Sequence, residues 1–257
     1  MTKPNKTTEA GIPSSQTKDD EILAALLENL PAAEDLEVSV PSKEKFYKLH
    51  DPSKKISISP LTFEDEKSLM SNRNPDIDVL TGLLLKCVKN VTVTDLLQID
   101  KLFLIMKIRE HSYGEEYSAS ITCPGCRKDN NIKFTLSNLN VNYVEDDFTN
   151  PSEVFLPILK KTVKVRLPRI SDEQYLQNTE HTTSNLWRFV EEIEGVTKKP
   201  IISKVISKLP LQDAHAVLNA LGGGDYGIDT NVRFVCNYCT HSEVLELPVG
   251  GDFFTGN

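Results

Sequence analysis

Four cysteines, arranged as two pairs, are the residues in this sequence whose type and spacing best suit chemistry. Cys123 and Cys126 form the first CxxC pair, and Cys236 and Cys239 form the second. Two intervening residues let both thiolates of a pair reach one metal ion, and two pairs supply the tetrahedral set of a structural zinc site. Four thiolates fill the coordination sphere of Zn2+, so the expected role of the ion is structural and not catalytic.

Two other interpretations of the cysteines stay open: an iron–sulfur or redox site, and cysteines without a metal. A redox pair of the thioredoxin type opens a helix. Here period-two patterns flank the first pair, at residues 117–122 and 132–136, and the second, at residues 232–235 and 244–247. Each pair is therefore predicted to lie in a turn between two strands, which favours zinc.

Two residues with metal-binding potential have simpler explanations. His241 follows the second pair by two residues, and we interpret it as a surface histidine; the alternatives are a substitute ligand or a group that supports the ligands. Cys87 lies on an apolar stripe of a predicted helix, which indicates a buried small hydrophobic residue.

Three segments before the first cysteine pair show helical spacing of apolar residues, after a strand predicted near residues 56–61. The first begins at Thr62, a predicted N-cap ahead of an acidic first turn. The second spans residues 77–88. The third begins at Thr94 or Asp95 and is expected to be deeply packed, because it is apolar on most of its circumference.

This third helix carries two charged residues among its apolar ones. Asp100 and Arg109 interrupt the apolar surface, which predicts either a buried pair or an interface contact. The helix is expected to run to about His111, and Gly114 should break it.

The segment between the two cysteine pairs contains an insert with its own pattern. A hairpin is predicted over residues 155–167, with its turn at Lys160 and Lys161. Ser171 begins a capping-box sequence, and residues 187–196 fit either a helix or a strand. Two short helices are predicted at the end of the insert, over residues 201–209 and 213–221, closed by Pro210 and by glycines 222–224.

Residues 1 to about 38 are acidic and poor in aromatic residues, which predicts disorder. Residues 22–30 form an exception, a short amphipathic helix that Asp19 or Asp20 is placed to cap. This helix has two interpretations: it packs on the protein's own core, or it docks in a partner's groove.

The fold class that these patterns predict is α+β. It has a helical N-terminal part and a split, four-cysteine zinc-ribbon-like β unit with a long α/β insert. The division is an N-terminal segment (1–38), the helices with the first cysteine turn (39–150), the insert (151–230), and the second cysteine turn with the tail (231–257).

Composition argues against several functional classes. The net charge is −8 and the pI about 5.2, whereas nucleic-acid binding needs a clustered basic surface. The basic stretch 160–166 alternates like the solvent face of a strand. No apolar run is long enough to span a bilayer, and the polar N-terminus contains no signal core, so we expect a cytoplasmic protein.

Motifs of common enzymes are not found in the sequence. It contains no P-loop, GxSxG, HExxH or dinucleotide fingerprint, and residues 222–225 follow a helix instead of opening one, so they indicate a loop and not a phosphate cradle. We therefore expect a non-enzymatic protein without catalytic or cofactor-binding residues.

The order of segments over residues 40 to 255 resembles the T4-like phage baseplate proteins, the family typified by the baseplate hub protein of phage T4. The resemblance lies in five segments: Val40–Tyr47, Ser59–Glu66, Asp100–Arg109, Ser112–Tyr117 and Asp252–Phe254. Lys43 and Glu44 stand where the family pattern leads us to expect a glycine.

The resemblance implies a component of a contractile-tail phage that acts in baseplate hub assembly, as a hub component or as an assembly chaperone. It implies other hub or tail proteins as partners, and a location in the host cytoplasm during assembly or in the virion tail baseplate. From the residues alone, a zinc-ribbon nucleic-acid-associated module and a hydrolase with acidic residues remain alternatives. Phe253 and Phe254 are expected either to anchor a partner contact or to tuck back into the core.

Overall fold

The computed structural model describes residues 15–28, 34–71, 79–222, 226–247, 249 and 251–254. The chain divides into two compact units, Met1–Glu34 and Asp35–Asn257. Helices and antiparallel strands occur in the second unit, so the predicted α+β class is confirmed.

The first unit contains helix α1, Ser15–Glu28. The predicted helix is therefore present, but Asp19 and Asp20 do not cap it, because it begins four residues before Asp19. Its side chains Ile22, Leu23 and Leu26 are each more than half exposed, at 59%, 55% and 64%. Disorder was predicted for residues 1 to about 38. Residues 1–14 and 29–33 of this segment lie outside the described residues, whereas its end contains a short strand, Leu36–Glu37, and the buried Val38.

The second unit contains the remaining described helices and strands. The helices are α2 (Phe63–Ser71), α3 (Val79–Cys87), α4 (Gln98–Tyr113), α5 (Thr179–Asn185), α6 (Lys199–Ile206) and α7 (Leu211–Leu221). The strands are β1 (Leu36–Glu37), β2 (Ser57–Ile58), β3 (Val88–Lys89), β4 (Glu116–Thr122), β5 (Asp129–Thr135), β6 (Val141–Asn142), β7 (Ser152–Leu156), β8 (Lys161–Val165), β9 (Val190–Ile193), β10 (Gly227–Ile228), β11 (Asn231–Val235) and β12 (Ser242–Glu246).

All strand pairs are antiparallel. Two sheets have three strands, in the orders β1-β2-β3 and β7-β8-β9. The pairs β4–β5, β11–β12 and β6–β10 are each two-stranded. The two cysteine turns therefore belong to separate hairpins, β4–β5 and β11–β12, and we call these two hairpins together the split ribbon.

Helix α4 contributes more buried side chains to the main core than the other helices described. It begins at Gln98 and not at Thr94 or Asp95, because the chain is extended at Leu96 and Leu97 after a short 3-10 turn. Gly114 ends the helix as predicted, and its φ of 89° is one that glycine adopts without strain. At the start of α2, Thr62 and Asp65 cap each other's backbone N–H groups, which confirms the predicted cap.

The two charged residues of α4 are both buried, but they do not form a pair. The Asp100 carboxylate accepts hydrogen bonds from the backbone N–H of Ser42 (2.9 Å) and from the hydroxyl of Tyr47. Burial raises the pKa of Asp100. The Tyr47 oxygen in turn accepts from the N–H of Leu97 (2.8 Å), so the segment around residues 42–47 is fastened to the first turn of α4.

Arg109 fastens the end of the described chain to the same helix. Its Nε donates to the carbonyl of Phe253 (2.9 Å), and the Tyr113 hydroxyl donates to the carbonyl of Phe254 (2.7 Å). Phe253 and Phe254 are 1% and 5% exposed. These aromatic residues therefore tuck back into the core, the second of the two outcomes left open by the sequence.

The insert has a second core, formed by the sheet β7-β8-β9 with α6 and α7. The predicted hairpin and both late helices are confirmed, and the ambiguous segment contains a strand, β9. The predicted cap at Ser171 is wrong: a 3-10 helix begins at Ile170, and Asp172 accepts from the N–H of Arg169 (2.9 Å).

Candidate metal centre

The two cysteine turns are built alike. In the first, the N–H of Cys123 donates to the carbonyl of Lys128 (3.0 Å), so the turn is closed by the ladder of β4 and β5. In the second, the N–H of Cys236 donates to the carbonyl of His241 (3.0 Å), which closes the turn between β11 and β12. The strand–turn–strand prediction is thus confirmed for both pairs.

The structure brings the two pairs together. The sulfur atoms of Cys123, Cys126, Cys236 and Cys239 all lie within 4.8 Å of one another. The shortest distances across the two turns are 3.7 Å from Cys123 to Cys239 and 3.6 Å from Cys126 to Cys236. A tetrahedron with Zn–S bonds of about 2.3 Å has sulfur–sulfur edges of roughly 3.8 Å. The spacing therefore fits a tetrahedral thiolate site.

The electrostatics of the cluster also fit a cation. Burial raises the pKa of the Cys236 thiol, but the N–H groups of Tyr238 and Cys239 donate to its sulfur and bring the pKa down to about 6. The N–H of His241 lowers the pKa of Cys239, yet burial and the neighbouring cysteines raise it to about 12. A nearby positive charge would favour the thiolate form of Cys239, which burial and the neighbouring cysteines disfavour.

Asn130 joins the two turns and is a residue that the sequence reasoning missed. Its Oδ1 accepts from the N–H of Asn237 in the second turn (2.8 Å), and its Nδ2 donates to the carbonyl of Lys128 in the first (2.9 Å). It is 1% exposed. The alternation of side chains along β5 could have indicated that Asn130 points inward, because it lies on the same face as the apolar residues Ile132 and Phe134.

Apolar packing around the sulfurs is small in extent. Phe234 is fully buried against Ile121, Ile132 and Leu245 beside the cysteines. The ring of His241 is outside the group of four ligands, and its Nε2 lies 3.3 Å from Glu243. Cys87 lies apart on α3, 1% exposed, and burial raises the pKa of its thiol to about 11, which agrees with the predicted core role.

The comparison with protein families decides what kind of protein carries this centre. A family model described as T4 bacteriophage base plate protein matches residues 36–255. This chain belongs to that family. No curated protein and no solved structure gives a match. A T4 baseplate protein interacts with other phage baseplate or tail proteins, and the family points to the virion tail baseplate as its location.

The structure gives the family-like segments of this baseplate protein a physical role. In the opening segment, Ser42 and Tyr47 donate hydrogen bonds to Asp100. In the closing aromatic segment, the carbonyl of Phe253 accepts a hydrogen bond from Arg109. Lys43 and Glu44, which replace an expected glycine, have positive φ values of 54° and 62°. The backbone thus adopts at this turn the conformation that favours glycine.

In the basic stretch 160–166 of this baseplate protein, three of the four basic residues form ion pairs with nearby acids, and Lys160 lies 5.9 Å from the ring of Phe155. Lys161 and Lys164 on β8 pair with Glu194 (3.2 Å) and Glu192 (3.0 Å). Arg166 pairs with Asp172 and Glu191. A nucleic-acid surface would need these cations to be available. Among the described residues, no helix has the length and apolar character needed to cross a bilayer.

Proposed function

We propose that this baseplate protein is a non-enzymatic protein that acts in baseplate hub assembly, as a hub component or as an assembly chaperone. The family match over residues 36–255 carries the proposal. The finer assignment to the hub is supported by the resemblance of its opening and closing segments, both of which are fastened to α4.

The second part of the proposal is that Cys123, Cys126, Cys236 and Cys239 bind a structural Zn2+ ion. The supporting observations are the sulfur–sulfur distances and the four-thiolate donor set. A bound ion would join two cysteine pairs that are separated by residues 127–235. Four protein ligands leave the ion no open position for a substrate, so its contribution is to stability, with an apparent binding energy on the order of 10–16 kcal/mol.

The third part concerns how the protein meets its partners, through protein surfaces and not through a catalytic pocket. The turn between β7 and β8 exposes Ile158, at 51%, beside Phe155, at 57%. Buried Asp213 fixes this turn by accepting from the N–H groups of Ile158 (2.7 Å) and Leu159 (3.1 Å). Rigid, exposed apolar groups are typical of protein contacts.

The test is a phage that lacks the gene for this chain, complemented by plasmid copies. We expect infected cells to accumulate unassembled hub proteins and no baseplates, as seen by electron microscopy and sedimentation, and the wild-type copy to restore assembly. Mass spectrometry of purified virions separates a hub component, which is retained, from a chaperone, which is absent. Normal baseplates without the protein would contradict the proposal.

A further inference from the structure

Strands β5 and β11 of the split ribbon are held together at two ends and lie apart between them. At one end, the N–H of Asp229 donates to the carbonyl of Asn140 (2.8 Å), next to the β6–β10 pair. At the other end, Asn130 bonds to Asn237 beside the cysteine cluster. Each strand pairs with only one described neighbour, β5 with β4 and β11 with β12.

A cleft of about 460 Å³ lies in the region between these ends. It is lined by residues 133–135 of β5, residues 231–233 of β11, and the adjoining residues 138–140 and 229. Each of the two strands that line the cleft is therefore an edge strand of a two-stranded sheet.

Hydrogen-bond register shows which backbone groups of β5 face the cleft. The N–H of Leu136 donates to Glu115, and the N–H of Cys123 donates to Lys128. In an antiparallel ladder, hydrogen-bonded pairs alternate with pairs whose N–H and C=O groups point outward. Even-numbered residues of β5 therefore bond to β4, and the N–H and C=O groups of Lys133 and Thr135 point away from it.

The same reasoning applies to β11. The N–H of Cys236 donates to His241, and the N–H of Leu247 donates to Thr230. The even-numbered residues again bond within the hairpin, so the backbone groups of Asn231 and Arg233 point outward. The N–H of Asn231 is taken by the Asp229 side chain (2.9 Å).

Unpaired backbone groups on both banks indicate the kind of occupant. Among the described residues, none hydrogen-bonds the outward N–H groups of Lys133, Thr135 and Arg233. An extended polypeptide satisfies such a row of donors and acceptors, as in strand addition to a sheet edge. A compact anion could bind the cationic side chains, but it would leave the row of backbone N–H and C=O groups without hydrogen-bond partners.

The charges of the side chains along the cleft indicate which residues the bound segment should contain. Lys133 and Arg233 are exposed and project from opposite banks. The partner of Lys133 is Glu116 at 3.3 Å, in a pair whose side chains are 72% and 74% exposed, and such pairs are weak. Asp229, the acid of the lining, is bound to Asn231. Like charges disfavour pairing between two copies of this edge and favour an acidic strand.

We propose that an extended, acidic segment of another baseplate protein adds as a β-strand in the cleft between β5 and β11. This inference rests on the proposed function, because the occupant is a baseplate partner. The cysteine site would form one end of the cleft, so it would hold the binding surface in shape.

The first experiment compares backbone hydrogen exchange of the intact protein alone and in the complex purified with its baseplate partners from infected cells. We expect slower exchange at Lys133, Thr135 and Arg233, whose N–H groups point outward on the lining of the cleft. Protection confined to other surfaces, such as the β7–β8 turn, would overturn strand addition while leaving the assembly role intact. Failure to form any complex would count against the assembly role itself.

Two substitutions at one position isolate the backbone contact. Thr135→Pro removes an outward N–H that the ladder to β4 does not use, and the φ of Thr135, −100°, must shift by roughly 20° to reach the range of proline. Thr135→Val keeps the N–H and the branched shape. Once circular dichroism and metal content show both variants folded, we expect about fivefold weaker partner binding for proline relative to valine. Equal binding would overturn the proposal.

Charge reversal tests the acidic character of the strand. We expect the double change Lys133→Glu and Arg233→Glu to weaken partner binding about tenfold at low salt, and less at high salt. Lys54→Glu is the matched control, at an exposed lysine whose partner is Asp51. Equal effects of the double change and the control would contradict an acidic strand. If charge reversal weakens binding but proline does not, an anionic ligand such as nucleic acid replaces the strand.

Discussion

In the described part of the insert, ten buried apolar side chains form a core between a sheet and two helices, whereas the cluster of the split ribbon contains three buried residues, two of them cysteines. The insert is continuous in sequence, and its core forms from residues less than about 70 positions apart. The ribbon joins hairpins from distant parts of the chain. Its hairpins reach the main core through residues such as Tyr117, Ala119 and Leu247, but few apolar groups pack around the sulfurs themselves, so we expect the proposed metal to hold the two turns together.

The insert and the split ribbon belong to one compact unit, but we expect them to be stabilised by different interactions. Burial of apolar surface stabilises the insert, at about 25 cal/mol per Å². Metal coordination and a few hydrogen bonds would stabilise the ribbon. Treatments that act on the metal should therefore affect the ribbon first, and changes in the apolar core should affect the insert without reaching the metal.

Removal of the metal is expected to have the largest effect. Cys236→Ser or a strong chelator should expose residues 231–246 and 116–135 to rapid hydrogen exchange, because the lost binding energy, on the order of 10–16 kcal/mol, is comparable to the whole stability of a domain. Strands β7 and β8 should keep their protection. The measurements are zinc content by elemental analysis and exchange by mass spectrometry.

Cys87→Ala is the matched control for the cysteine change, because Cys87 is buried on α3 and outside the cluster. It should retain the full zinc content. If chelation causes equal loss of protection in the split ribbon and in the insert, the two regions do not unfold separately. If the split ribbon keeps its full protection, the proposed structural role of the metal is contradicted.

A core substitution in the insert is expected to have the next largest effect. Phe189 is fully buried, so Phe189→Ala should lower the free energy of unfolding by about 3–5 kcal/mol. The zinc content should be unchanged. Phe155→Ala, on the same sheet but 57% exposed, should change the free energy by about 0.5 kcal/mol or less. Denaturant titration measures both, and metal loss in Phe189→Ala would contradict the comparison.

Substitution of Asn130 tests how the two turns of the split ribbon are held together without changing any of the four cysteines. Asn130→Ala leaves the N–H of Asn237 without its partner and removes one of the two hydrogen bonds that the carbonyl of Lys128 accepts, which should cost about 1–3 kcal/mol. We also expect faster zinc release to a chelator. Asn131→Ala, at the exposed neighbouring residue, should do neither. Equal zinc release from the two variants would show that Asn130 does not position the second turn.

The parts of this structure that the sequence predicts are those governed by local rules. Period-two alternation around each CxxC turn is a property of neighbouring residues, and so is the Thr62 cap of α2. The predicted start of α4 was wrong, because the local capping preference favours Thr94 or Asp95 as the first residue. The extended Leu96–Leu97 segment is held instead by the hydroxyl of Tyr47, about 50 residues upstream.

Contacts between distant segments escaped prediction for the same reason. Nothing near Asp100 in the sequence identifies Ser42 and Tyr47 as its partners, and the fate of Phe253 depends on Arg109, 144 residues earlier. Asn130 gave a local cue through its inward strand position, but its partner in the second turn is 107 residues away. The two cysteine turns were predicted because the spacing within each pair, unlike these contacts, is a local signal; the four cysteines do lie together, and their role as metal ligands stays a prediction.

The smallest expected effect comes from backbone strain that ribbon and insert share. Arg127 in the first cysteine turn and Lys160 in the β7–β8 turn have positive φ values of 59° and 55°. Glycine removes a steric cost of about 1–2 kcal/mol at such a residue but loses more entropy on folding. Each glycine variant should therefore have a free energy of unfolding higher by about 0.5 kcal/mol.

The two variants should differ in the measurement that detects this stabilisation. Arg127→Gly should slow zinc release, because the relaxed turn belongs to the bound state, whereas Lys160→Gly should raise the denaturation midpoint and leave zinc release unchanged. Slower zinc release in both variants would mean that the insert turn and the metal centre are coupled, and the two regions would then share one source of stability.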